Sequence, residues 1–147
     1  MTMDGFRGPA LTVDFAVLTA ATPRQLLLVQ RAHEPFAGSW ALPGGFVEQD
    51  EQVLGAALRE LAEETGLELD RAGRPAEPEL LGVYDTPGRD PRGSTVSVAY
   101  LALVDAPLDV QGADDARDAR WFATDALPQL AFDHATIVAD ALRRSGP

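Results

Sequence analysis

The stretch GFVEQDEQVLGAALRELAEETGL, from Gly45 to Leu67, decides how the chain is to be read. Apolar residues recur in it at helical spacing. With Leu61 as reference and about 100° of turn per residue, Leu54, Ala57 and Leu58 fall within roughly 60° of it, one apolar stripe suited to packing on a sheet. Asp50 can cap such a helix from just outside its first turn, and Glu51 inside that turn favours the positive end of the helix dipole. Gly66 suits the left-handed position beyond a helix end, with Leu67 folding back on Leu61 or Ala62. The spacing therefore predicts a helix over Glu51 to Thr65 with a sharp stop. On the same helix Glu60, Glu63 and Glu64 share roughly a 100° sector beside the apolar stripe.

Carboxylates this close repel one another and raise one another's pKa, and the penalty grows at the edge of a core. A divalent cation would remove it. The cluster offers oxygen donors without Cys or His, which favours Mg²⁺ or Mn²⁺ over zinc or copper. Taken alone, the three glutamates also fit a solvated acidic helix face, the commoner case, and only the flanking pattern separates the two readings.

Outward from this helix, Leu11 to Ala20 and Gln25 to Val29 are apolar runs parted by Thr22-Pro23, and they read as two strands joined by a turn. Phe36 to Phe46, broken by Gly38, Pro43, Gly44 and Gly45, reads as loop and short strand. An exposed connection from Arg71 to Pro78 leads into a strand from Glu79 to Tyr84, and Thr86 to Ser94 is turn material. Thr95 to Val104 sets Val96, Val98, Tyr100, Ala102 and Val104 on one face and Leu101 and Leu103 on the other, the mark of a central strand buried on both sides. A loop from Asp105 to Asp115, a short strand ending at Trp121-Phe122 and a helix from Phe132 to Arg144 follow. This order implies an α/β domain with a mixed sheet between helices, a single domain over residues 1–147.

A chain of 147 residues has room for one core and needs neither metal nor disulfide to hold it, so a bound metal would serve chemistry. Cysteine is absent, which excludes a disulfide scaffold, a thiolate nucleophile and any Cys-ligated zinc or iron–sulfur centre. All 12 basic side chains are arginines. Without lysine, a Schiff-base enzyme and a P-loop are excluded as well. The 23 acidic residues bring the net charge to -11, which leaves no basic footprint for nucleic acid. No apolar run is long enough to span a membrane, and Met1 to Pro9 lacks the apolar centre of a signal peptide, so a soluble cytoplasmic protein is expected.

Gly45, five residues, Glu51, seven residues, Arg59-Glu60-Leu61, Ala62, Glu63-Glu64, Thr65, Gly66-Leu67 resembles the Nudix box at every specified position. Outside the box the resemblance is softer but extends over most of the chain, including Phe36 to Gly45. It implies an α/β/α sandwich whose loop–helix–loop box binds Mg²⁺, with Mn²⁺ as a substitute, and hydrolyses a nucleoside diphosphate joined to another group. By the same resemblance Glu60, Glu63 and Glu64 are metal ligands, the Gly44 carbonyl is an additional one, Arg59 orients the glutamates and Glu51 helps to fix the loop. A pyrophosphate resists attack because its oxygens repel an incoming hydroxide, so clustered carboxylates holding cations are the residues that such a reaction requires.

Tyr84 to Gly93, followed by Val96 to Tyr100, resembles the corresponding region of ADP-ribose pyrophosphatases and of Nudix effector domains in repressors of NAD metabolism. The resemblance implies a small nucleotide as substrate, ADP-ribose cleaved to AMP and ribose 5-phosphate. The sequence alternatives are an oxidised nucleoside triphosphate as substrate and a non-catalytic ADP-ribose sensor. The complete box favours an enzyme, because a sensor needs no full set of catalytic carboxylates. Arg89 in the turn Arg89 to Gly93, and Arg31 at the end of the second strand, are candidate phosphate contacts, since arginine suits bidentate binding. A polar hairpin would use the same turn residues. Asp114 and Asp115 are candidates for general base, alongside Glu60 and Glu63. His33 and His134 read as surface or packing residues, and a homodimer is left open.

Overall fold

The run from Leu11 to Ala20 becomes β1, Ala10–Thr19, and its alternation sorts the core into two layers. Val13, Phe15 and Val17 point to one side and pack with Ala56, Ala57 and Leu61. Ala16 and Leu18 point to the other and pack with Ile137, Val138 and Ala141. The computed structural model describes residues 8–69, 76–113 and 116–146.

The remaining elements are β2 (Gln25–Arg31), β3 (Trp40–Ala41), β4 (Gly44–Phe46), α1 (Val53–Thr65), β5 (Glu79–Tyr84), β6 (Thr95–Val104), β7 (Ala116–Ala123) and α2 (His134–Ser145). They form a 7-stranded sheet with the path β3-β2-β1-β6-β5, to which β4 adds on β1 and β7 on β2. β1 and β6 run parallel in continuous register from Ala10↔Thr95 to Thr19↔Val104. The pairings of β1 with β2 and β4, of β2 with β3 and β7, and of β5 with β6 are antiparallel. The sheet is therefore mixed, and α1 and α2 cover its opposite faces in the expected α/β/α sandwich. The hydroxyl of Tyr84 donates to Asp140 at 2.7 Å and ties α2 to β5. Among the described residues no helix is long and apolar enough to cross a membrane.

β5 and β6 have the bounds read from the sequence. β6 lies between β1 and β5, inside the sheet, though Leu103, on the side of the sheet that α2 packs against, is half-exposed. The start of α1 differs from expectation. It begins at Val53, its N-cap is Gln52, and no side chain bonds there. Asp50 instead adopts a left-handed φ of 63° in the preceding turn, and Glu51 stays outside the helix with its carboxylate bonded to Arg59. Asp114 and Asp115, and the connection over residues 70–75, lie outside the described residues.

Gly66 ends α1 as expected, at φ 76°, with its N–H donating to the Ala62 carbonyl at 2.9 Å. Nothing lies within 4 Å of where a Cβ would stand, so the cost of a side chain at this position is conformational and not steric. Gly66→Ala should lower unfolding stability by about 1 kcal/mol, the cost of a left-handed conformation for a residue with a Cβ. Urea unfolding of both proteins checks this, and equal midpoints would show that the helix does not stop there.

Candidate functional site

A cleft of about 340 Å³ opens between the Gly44–Gly45 turn, the C-terminal half of α1 and the segment leading into α2. Glu60 and Glu64 form part of one wall, one helical turn apart, and Arg31, Arg89, Phe132 and His134 lie around the remainder. The apolar stripe of α1 packs on the sheet, and that packing turns the neighbouring glutamates toward the cleft.

Arg59 organises the box. Its Nε and Nη2 donate to the two carboxylate oxygens of Glu51 at 2.7 and 3.0 Å, a bidentate fork. Nη1 donates to Glu60 at 2.9 Å and to Glu63 at 3.2 Å, and Nη2 reaches the Phe46 carbonyl at 3.2 Å. One guanidinium thus joins the loop before α1 to two of the helix glutamates. The fork holds Glu51 well below the usual carboxylate range, at about 2, with help from the Glu48 N–H donated to it. The same bonds, led by that to Glu51, raise the guanidinium above its ordinary pKa.

Glu64 is 7% exposed, and its Oε1 accepts the Gly44 N–H at 2.7 Å. A Cβ at Gly45 would stand 2.6 Å from the Glu60 carboxylate, the movable end of a side chain. At Gly44 a Cβ would meet the Val13 carbonyl at 2.1 Å and Asp14 Oδ1 at 2.7 Å. The two glycines allow the turn to lie against β1 on one side and the glutamates on the other. Glu63 is 44% exposed, beyond the cleft lining. Among the described residues no three carboxylates or imidazoles are drawn together as a ready-made cage. The donor set nonetheless suits a hard cation, because Glu60 and Glu64 bring carboxylate oxygens to the cleft beside Gly44 and Gly45, and Arg59 holds Glu63 beside Glu60.

Of the candidate phosphate contacts, Arg89 reaches the cleft wall, but its side chain is only 5% exposed. Its Nε and Nη2 are closed on Asp133 at 2.9 and 2.7 Å, and Nη1 donates to Thr95 at 2.8 Å. Burial works against its charge, yet Asp133, with Asp14 and Asp90, outweighs that and raises its pKa. A guanidinium in this position anchors the hairpin, and a ligand would have to compete with Asp133 for its fork. Arg92 is the more exposed of the pair, bonded to the buried Asp90 and placed over the rings of Phe46 and Phe132. Arg31 donates through Nε to the Pro35 carbonyl at 2.7 Å and also lies over Phe132.

Sequence reading missed a buried polar group beneath the turn. Asp14, 6% exposed, accepts from the Ser97 hydroxyl and lies 3.2 Å from Nε2 of His134, 4% exposed. Asp14 had a visible signal, a lone carboxylate inside the apolar run of β1. His134 had none, since its partners are 92 and more residues away in the chain.

A model described as the NUDIX domain matches residues 10–141. The chain is 42% identical over 135 residues to an ADP-ribose pyrophosphatase of Methanocaldococcus jannaschii, covering 92% of this chain and 74% of that protein. The solved NUDIX domain of Shewanella oneidensis NrtR, complexed with ADP ribose, superposes with a TM-score of 0.86 at 34% identity, over 99% of this chain and 94% of that one. A bifunctional NMN adenylyltransferase/ADP ribose pyrophosphatase from Francisella tularensis, complexed with AMP and a manganese ion, gives a TM-score of 0.82 at 33% identity, with 97% of this chain and 43% of that one covered. The chain thus spans less than half the length of that bifunctional protein.

The two glycines should respond differently to alanine. Gly44→Ala drives a Cβ into backbone and should lower stability by roughly 1–3 kcal/mol, the usual cost of overpacking. Gly45→Ala meets a carboxylate that can swing away, so it should unfold close to the parent and instead weaken divalent-cation binding, read by calorimetric titration. The opposite pattern would contradict the geometry.

The Glu51–Arg59 fork should also show in acid. Because Glu51 ionises more readily folded than unfolded, its contribution is complete above the ordinary value of 4.5 and is lost as pH falls toward about 2. The parent's stability lead over Glu51→Gln should therefore shrink across that window in urea titrations, and a constant lead would remove the fork as its cause.

Proposed function

The chain belongs to the NUDIX domain family, and on that premise we propose that it is a Mg²⁺-dependent pyrophosphohydrolase, a single Nudix domain acting in the cytoplasm on ADP-ribose. Water and ADP-ribose would give AMP and ribose 5-phosphate. The observation that carries this reading is the box itself, where Glu60 and Glu64 face the cleft against the Gly44–Gly45 turn and Arg59 ties Glu51, Glu60 and Glu63 together. The relatives point to the same substrate: one is an ADP-ribose pyrophosphatase, and another holds ADP ribose in its NUDIX domain. Manganese in the Francisella structure supports Mn²⁺ as a substitute for Mg²⁺.

In this reading Glu60, Glu63, Glu64 and the Gly44 carbonyl hold the metal, and Arg59 and Glu51 are positioning residues. A divalent cation at these groups would neutralise the diphosphate and lower the pKa of a water placed for attack. The chain's own part is geometric and electrostatic. Arg59 holds Glu60 and Glu63 side by side, and the Gly44 N–H holds Glu64 against the cleft. Arg31 and Arg89 also line the cleft and are the proposed contacts of the diphosphate, which would have to take the Arg89 fork from Asp133. A sensing role would use the same pocket, but it gives no reason to retain every box carboxylate.

With Mg²⁺ present, ADP-ribose should be cleaved with a higher kcat/KM than other nucleotide sugars, dinucleotides or oxidised triphosphates, the products identified by chromatography. Chelation should abolish turnover. Glu64→Gln should lower kcat on the order of a hundredfold with the circular-dichroism spectrum unchanged, because it removes a ligand and no core volume. Near-parental turnover of that variant at saturating Mg²⁺ would overturn the assignment, and tight binding of ADP-ribose without cleavage would establish the sensor.

A further inference from the structure

Gly44 and Gly45 begin β4, and the side chains of this segment do little to place it. β4 is three residues long, two of them glycines without side chains to pack, and Pro43 has no N–H to donate. Pairing with β1, Asp14 opposite Gly44 and Val13 opposite Gly45, holds β4 itself, and two further groups hold the Leu42–Pro43 segment that leads into it. The Phe15 N–H donates to the Pro43 carbonyl at 2.8 Å. The second grip is a side chain: the Leu42 N–H donates to Nδ1 of His134 at 3.0 Å.

A backbone N–H can only donate, so His134 Nδ1 carries no proton and the ring hydrogen sits on Nε2. That nitrogen faces Asp14 Oδ1 at 3.2 Å. The other oxygen of Asp14 accepts from the Ser97 hydroxyl at 2.5 Å and lies 3.8 Å from Nη2 of Arg89. Asp14 therefore draws on β6, the hairpin and α2, all buried, directly beneath the glycine whose N–H bonds to Glu64. A buried polar pair of this kind is seldom more stable than an apolar one of equal volume, so stability alone does not account for it.

We propose that His134, fixed by Asp14 as its neutral Nε2–H tautomer, is a positioning residue that sets the Leu42–Gly44 turn against Glu64. Its role lies in the geometry of the cation site, and it rests on the reading of that site given above. The pair links the first residue of α2 to a box it does not belong to.

The test reads metal affinity and tautomer separately from turnover. In the folded parent, ¹⁵N NMR of His134 should show an unprotonated Nδ1 and a protonated Nε2, and the reverse tautomer overturns the proposal without any variant. His134→Leu should weaken Mn²⁺ binding about tenfold or more, the usual effect of losing a group that orients a ligand. His134→Asn, whose Oδ1 can take the place of Nδ1 toward Leu42, should restore affinity to within about threefold of the parent. Parental Mn²⁺ affinity in a folded His134→Leu protein, or a folded His134→Asn protein weakened by about tenfold or more, overturns the positioning role and leaves the proposed hydrolase intact. A parent that binds no Mn²⁺ overturns both. If His134→Leu does not fold, the asparagine variant and the parent's tautomer still decide.

Discussion

Glutamates crowded at one end of a helix repel one another unless a cation holds them together. In this chain that is the guanidinium of Arg59, which holds Glu60 and Glu63 from the helix and Glu51 from the loop before it. Its planar fork serves several carboxylates with fixed directions, which an ammonium group would not do. The start of α1 at Val53, the left-handed Asp50 and the path of the loop are consistent with Glu51 being claimed by Arg59 and not by the helix dipole.

Around that interaction the architecture is arranged in layers. The parallel pair of β1 and β6 forms the rigid centre, and β1 carries Val13 and Asp14 opposite Gly45 and Gly44. Packing of the apolar side of α1 on the sheet brings Glu60 and Glu64 to the same turn. Both glycines are explained by close approach and not by unusual dihedrals, since one stands over backbone and the other over a carboxylate. The pyrophosphate chemistry proposed for the cleft needs this closeness, because cation-binding oxygens must come from two facing segments.

Much of this was legible in the sequence because it is local. Helical period, the stop at Gly66 and the shared sector of the glutamates are properties of consecutive residues, and β5, β6 and the end of α1 formed where the pattern put them. The role of Arg59 as a partner of carboxylates was readable for the same reason. What the sequence hid depends on contacts between distant segments. Arg89 looked like a phosphate contact because its turn is polar, but Asp133 is 44 positions away and closes its fork. His134 looked like a lone histidine until α2 brought it to Leu42 and Asp14. Asp50 does not cap α1 because the helix starts three residues later, at Val53, with Gln52 as its N-cap.

The central claim is that the Arg59-organised glutamates and the Gly44–Gly45 turn form one divalent-cation site. Anomalous diffraction from crystals grown with Mn²⁺ and a non-hydrolysable ADP-ribose analogue tests it most directly. The account predicts a manganese peak ligated by the carboxylates of Glu60 and Glu64 and lying against the diphosphate. A manganese peak elsewhere on the protein, with the analogue bound in the cleft and those glutamates still on Arg59 and Gly44, would contradict it.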